Sequence, residues 1–170
     1  HLAVRVAEHA QHLVHLVVVG LHDHQDAILL GRPRKEVRIV PVNAKLLQTL
    51  CADGTIPVIS STAMDRNGGK LNVNADTAAG KVAAAVMAEK LVMVSDTHGI
   101  RRDMNDPESR VSSLDQLQIQ EMIDAGIITD AMFPKVEACL VALEAGVRKA
   151  HIIDGRIDHS LLLEIYTEQG

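Results

Sequence analysis

Polar and apolar positions follow two periods along this chain, and the switch between them near residue 75 is the sharpest feature of the pattern. Residues 71–76 read Leu-Asn-Val-Asn-Ala-Asp, a period of two that would project Asn72, Asn74 and Asp76 from one face of an extended segment. From there Ala75, Ala78, Ala79, Val82 and Val86 recur at helical spacing, with alanine on most other faces, which predicts a helix buried on several sides. Asp76 falls in or just before the first turn, where unpartnered backbone N–H groups and the positive end of the macrodipole stabilise an acidic group. An N-cap is the plain reading of such a residue. Two amide side chains immediately upstream make it also a candidate for orienting a polar ligand.

The rest of the chain reads as alternating strands and helices. Ala3, Val6, Ala7 and Ala10 have helical spacing, and 16–19 is a buried strand closed by Gly20. Residues 27–30 and 37–40 read as short strands around a solvated basic turn, Gly31-Arg32-Pro33-Arg34-Lys35. Asn43 caps a predicted helix carrying Leu46, Leu47, Leu50 and Cys51 on one face and ending at Gly54. The apolar run 56–60 predicts a strand, and Asp65-Arg66-Asn67-Gly68-Gly69-Lys70 a hairpin tip. Residues 91–94 are continuously apolar, as in a strand covered on both faces. Asp115 caps a helix with Ile119, Met122 and Ile123, stopped at Gly126; Pro134 opens another, with Val136, Cys139, Leu140 and Leu143 as its stripe. A strand at 150–153, the turn Asp154-Gly155-Arg156 and a helix over 160–167 complete the series. This alternation predicts an α/β sandwich around a mainly parallel sheet.

Composition narrows the function. Of 170 residues 47% are hydrophobic but only 1% aromatic, namely Phe133 and Tyr166, so the core is aliphatic. With so few rings and a net charge of −5, neither base stacking along a strand nor a basic footprint is on offer, and nucleic acid is not an expected partner. Cys51 and Cys139 both lie in apolar helical patterns and read as free thiols. No apolar run reaches a membrane span and no leader pattern is seen, so a cytoplasmic protein is expected. His12, His15, His22, Asp23 and His24 invite a zinc reading, but no pair has the spacing of a structural site, and a solvated turn is the expectation.

Chemistry-bearing residues gather at element ends. The strand at 91–94 exits into Ser95, Asp96, Thr97, His98, Gly99, Ile100 and Arg101, and in open α/β sheets ligands bind beyond such ends. Lys135 is a cation in the first turn of a helix, which the dipole disfavours unless an anion meets it; a lysine reaching out to water is the alternative. An Asn/Asn/Asp face, a loop at a strand end and a lysine at a helix start are parts for phosphoryl transfer, where catalysis is positioning plus neutralisation of charge. No Gly-x-x-x-x-Gly-Lys-Ser/Thr motif is present, so a P-loop enzyme is excluded.

Five segments carry a resemblance: Gly-Thr-Ile-Pro-Val-Ile, Leu-Asn-Val-Asn-Ala-Asp-Thr-Ala-Ala-Gly, Val-Ser-Asp-Thr-His-Gly-Ile, Ile-Ile-Thr-Asp-Ala-Met-Phe-Pro-Lys-Val-Glu and His-Ile-Ile-Asp-Gly-Arg. From 54 to 170 the chain resembles the C-terminal half of the N-acetylglutamate kinases, in the amino acid kinase family. The resemblance implies a three-layer α/β/α, carbamate kinase-like fold, with 54–170 as its nucleotide-binding half and 1–53 a divergent segment of the same domain. It implies ATP-dependent phosphorylation of the side-chain carboxylate of N-acetyl-L-glutamate in arginine biosynthesis, with Mg2+ held mainly by the phosphates. Asn72 and Asn74 would hold the substrate, Asp76 would organise catalytic lysines, and Lys135 would stabilise the transition state. Residues 95–101 with Ile127, Ile128 and Thr129 would line the nucleotide. His151, Glu164 and Gly170 match an arginine effector site, and relatives are homo-oligomers.

Upstream of Gly54 the likeness is faint. The family's Lys-x-Gly-Gly loop is not found, the chain's one Gly pair being Gly68-Gly69, and Ala131 replaces a customary glycine. Two readings follow: a kinase whose N-terminal half is missing here or lies on another chain, or a non-catalytic module that binds nucleotide or arginine.

Overall fold

The computed structural model describes residues 16–20, 42–64, 69–103, 105–129 and 132–167. The expected elements at 1–14, 27–30 and 37–40, the histidines at 12, 15, 22 and 24, the tip at 65–68, Ala131 and Gly170 lie outside these residues.

Among the described residues three parallel strands form the main sheet in the order β1-β4-β5, where β1 is Leu16–Gly20, β4 Lys90–Ser95 and β5 Lys149–Asp154. Leu16 pairs with Lys90, and Lys90 with Lys149, so the continuous apolar run of β4 occupies the centre. Leu91, Val92 and Met93 are fully buried, as a strand packed on both faces requires. Helices α2, Ala75–Val86, and α4, Phe133–Glu144, cover one face through Ala79, Ala83, Val86, Ala138, Cys139 and Ala142 against Leu91 and Met93. Helix α5, Ser160–Tyr166, packs Leu161 against Val92 and Ile153 on the other. Helix α3, Gln116–Asp124, starts from a capping box between Asp115 and Gln118 and sets Ile119 and Met122 against Ile128 and Val136. The three-layer α/β/α arrangement and the parallel sheet agree with the sequence pattern.

Helix α1, Ala44–Ala52, begins at Asn43, whose side chain accepts the Leu46 N–H at 3.1 Å, and packs on α2. The run 56–60 is not a strand. Ile56, Val58 and Ile59 are exposed, at 58%, 95% and 53%. Among the described residues nothing pairs with it, and Pro57 removes a donor, so apolarity alone does not make a ladder. The strand lies just beyond, as β2, Thr62–Met64, which forms the expected hairpin with β3, Lys70–Asn72.

Helix α2 leads into β4 through residues 87–89, and α4 into β5 through 145–148. Such short turns reverse the chain, so the N-termini of both helices lie at the edge where the parallel strands end.

Candidate functional site

At that edge Lys135 and Asp76 meet. Asp76 occupies the first turn of α2 and is buried, at 4% exposure; the Lys135 Nζ lies 3.4 Å from its Oδ2. The cap of α2 is Asn74, whose Oδ1 accepts the Thr77 N–H at 3.0 Å and its hydroxyl at 3.3 Å. This corrects the expectation of one Asn/Asn/Asp face: the strand ends at Asn72, Asn74 turns inward to cap, and Asp76 already belongs to the helix. Freed from capping, Asp76 turns its carboxylate to α4.

A close helix crossing brings the pair together. One turn past Asp76 stands Gly80, where a Cβ would lie 2.7 Å from the Ala138 carbonyl oxygen and 3.0 Å from its Cα. Only a residue without a side chain lets α2 and α4 approach so near. Cys139, one turn past Lys135, is buried in the same seam; burial first, then the Asp76 charge, pushes its thiol up to about 12. It stays a neutral thiol and no nucleophile.

The pair is incompletely satisfied. A separation of 3.4 Å is long for an ammonium–carboxylate bond, typically about 2.7–2.9 Å. The second carboxylate oxygen, Oδ1, is buried without a partner. At the start of α4 the backbone donors are already used: Met132 and Phe133 N–H go to the Thr129 carbonyl, Lys135 and Val136 N–H to that of Met132, and Pro134 has none. Any anion at this end is therefore met by the Lys135 ammonium, which has three N–H donors and can turn.

The exit of β4 forms a second polar group. Ser95 is buried, its hydroxyl donating to Asp96 Oδ1 at 3.5 Å and accepting from Thr97 Oγ1 at 3.4 Å. Gly155 N–H donates to the Ser95 carbonyl at 2.7 Å, tying the ends of β4 and β5. His98 Nδ1 sits 3.0 Å from Asp154 Oδ2, and Arg156 holds both oxygens of Asp154, Nε to Oδ1 at 2.9 Å and Nη2 to Oδ2 at 2.7 Å. The hydrogen bonds from Arg156 hold the Asp154 carboxyl down at about 2, against an ordinary 3.8. The sequence marks Asp154 and Arg156 as a turn. An Asp-Gly-Arg at the end of a parallel strand carries the same signal that marked 95–101 and could have been read alike.

Other expected residues divide. Ile100, Ile127 and Ile128 pack into one small core with Val136, joining the β4 exit to the segment before α4. Ile128 is 6% exposed, so its side chain belongs to the core and leaves only its backbone to face a ligand. Arg101 bridges to Arg110 and has a buried Nε without a partner. Asn72 and Thr129 are exposed. His151 and Glu164 are in direct contact between β5 and α5, and His151 Nε2 is buried and unpartnered. Among the described residues no group of three or more His, Cys, Asp or Glu side chains is placed to hold a metal ion, and no helix is long and apolar enough to cross a membrane.

Comparison with known proteins gives consistent matches. Residues 7–154 match the model of the amino acid kinase family. The acetylglutamate kinase of Gloeobacter violaceus is 46% identical over 162 residues, covering 89% of this chain and 54% of that protein. That of Nostoc sp. is 44% identical, covering 91% and 54%. The chain thus spans about half the length of these curated relatives. Among solved structures, N-acetylglutamate synthase from Neisseria gonorrhoeae, complexed with coenzyme A and N-acetyl-glutamate, superposes with a TM-score of 0.67 at 26% identity, covering 75% of this chain and 29% of that one.

Proposed function

Since the chain belongs to the amino acid kinase family, we propose that it carries the phosphoryl-transfer machinery of an ATP-dependent kinase acting on the side-chain carboxylate of N-acetyl-L-glutamate. Support comes from the relatives named acetylglutamate kinase and, above all, from one observation: Lys135 and Asp76 from two helix starts share a contact while Asp76 keeps a buried oxygen unpaired. In this reading a substrate carboxylate oxygen attacks the terminal phosphorus of ATP, the bond to the bridging oxygen breaks, and an acyl phosphate and ADP result. The transferring group carries spread negative charge. Lys135 turns its ammonium to that charge, held in range by Asp76, and Asp76 Oδ1 accepts a second ammonium. Mg2+ enters with the nucleotide, held mainly by phosphate oxygens.

Asn72 and the free amide of Asn74 face the substrate in this proposal, and residues 95–101 with the backbone of 127–129 the nucleotide. Arginine inhibition through His151, Glu164 and Gly170 is part of the same reading, supported by the contact of the first two and the unused nitrogen of His151. So are a cytoplasmic location and a homo-oligomeric state.

A hydroxamate assay for acyl phosphate, run with MgATP and N-acetyl-L-glutamate beside calorimetry with MgATP and with arginine, tests it. Product that disappears with Lys135→Ala is the expected result. Binding with no product at any enzyme concentration would leave a nucleotide- or arginine-binding module instead.

A further inference from the structure

The β4 exit holds an unusual imidazole. Arg156 Nη2 lies 3.2 Å from Nδ1 and 3.1 Å from Nε2 of His98. A point that close to both nitrogens within the ring plane would overlap the carbon between them, so the guanidinium sits over one face of the ring. Asp154 Oδ2 takes up Nδ1 from the same strand end, yet the His98 side chain stays 59% exposed. The ring is thus held by a cation over one face and a carboxylate at Nδ1, and more than half of the side chain remains open to solvent.

The backing is rigid. Asp154 is buried, its carboxylate also accepts the Arg156 N–H at 3.0 Å, and Gly155 seats the turn directly on β4, where a Cβ would meet Val94 Cγ1 at 2.5 Å. Asp154 and Arg156 of the β5 exit therefore hold one residue of the β4 exit, at the edge where an open parallel sheet binds ligands. A planar ring held against a guanidinium and more than half exposed suits stacking by a flat heteroaromatic group. Phe133 and Tyr166 are the chain's only Phe and Tyr and it has no Trp, so histidine is the commonest ring it can offer.

We infer that His98 is the platform on which the nucleotide base stacks, with Asp154 and Arg156 as the positioning residues that hold it. This rests on the kinase reading and deepens it, because it separates recognition of the base from recognition of the phosphates. The phosphates fall to Lys135; the base falls to a clasp between two strand exits.

Calorimetry on the full chain with two probes, MgATP and magnesium tripolyphosphate, tests the division. The unaltered chain should bind MgATP more tightly than tripolyphosphate. His98→Ala, at an exposed position, should weaken MgATP by roughly tenfold and leave tripolyphosphate unchanged. His98→Phe should restore the affinity. Asp154→Asn should weaken MgATP in the unaltered background but not in the His98→Phe background, since a phenyl ring takes nothing from the carboxylate; a merely structural role would lower both alike. Equal losses for both probes, no loss with His98→Ala, or an unaltered chain that binds both probes equally would each overturn the platform. Binding of neither probe by the unaltered chain would instead retire the kinase reading itself.

Discussion

Two buried aspartates at the same edge of the sheet are treated in opposite ways. Asp154 has every oxygen occupied, by the Arg156 guanidinium and backbone N–H and by His98, and its carboxyl is held at about 2. Asp76 has one contact at 3.4 Å and an oxygen with no partner. A buried oxygen without a hydrogen bond costs about 1–3 kcal/mol, and a fold tolerates that where a ligand or substrate-bound group later supplies the bond. Asp154 is thus saturated, as a scaffold group is, and Asp76 keeps the spare capacity that the proposed reading assigns to a second ammonium.

The contrast breaks most sharply at Lys135. In the kinase reading Lys135→Ala should lower acyl phosphate formation by on the order of a hundredfold or more, since it removes a side-chain donor at the start of α4 that would follow the transferring charge. Asp76→Asn should cost less, roughly ten- to a hundredfold in turnover, because the lysine remains but is no longer held. The informative comparison is Asp154→Asn in the same hydroxamate assay. Turnover at saturating MgATP should be nearly unchanged there, and an effect as large as that of Asp76→Asn would erase the distinction between the two carboxylates.

Much of this was legible in the sequence, and where it was not the cause is physical. The helix carrying Asp76 and the strand of 91–94 follow from periodicity, and Lys135 stood out as a cation at the wrong end of a dipole. The run 56–60 misled because apolarity reports a wish for burial, while a strand also needs a neighbour for its backbone, which no local pattern encodes. Asn74 was missed as the cap because Asn72, Asn74 and Asp76 look equivalent at a period of two, and only the helix start separates them. The close approach at Gly80 and the reach of His98 to Asp154 and Arg156 could not be read at all: they depend on which elements pack together, 58 positions apart for the glycine and the alanine it meets.

Gly80→Ala sharpens the contrast from the packing side. A methyl group gains up to about 1 kcal/mol in helix propensity, but placed 2.7 Å from a backbone oxygen it forces the helices apart at a cost of about 1–3 kcal/mol. The second effect should win, lowering the thermal midpoint and separating Lys135 from Asp76, so that turnover falls with it. A variant as stable and as active as the unaltered chain would show that the crossing does not set the pair.

The smallest effect belongs to Asp154 and appears only in acid. Its folded carboxyl titrates at about 2 against 3.8, so the folded state binds the proton less readily than the unfolded chain does. The stability this contributes is complete above roughly pH 4 and is lost as pH falls toward 2. Asp154→Asn should therefore cost roughly 1 kcal/mol near neutrality, at the low end because Arg156 and His98 are more than half exposed, and the difference from the unaltered chain should shrink as the pH drops through that window. Thermal unfolding at a series of pH values from 5 to 2 reads this directly. Parallel curves for the two proteins would mean that the carboxylate is no better satisfied in the fold than in water, and Asp154 would then belong with Asp76 as a group held in reserve.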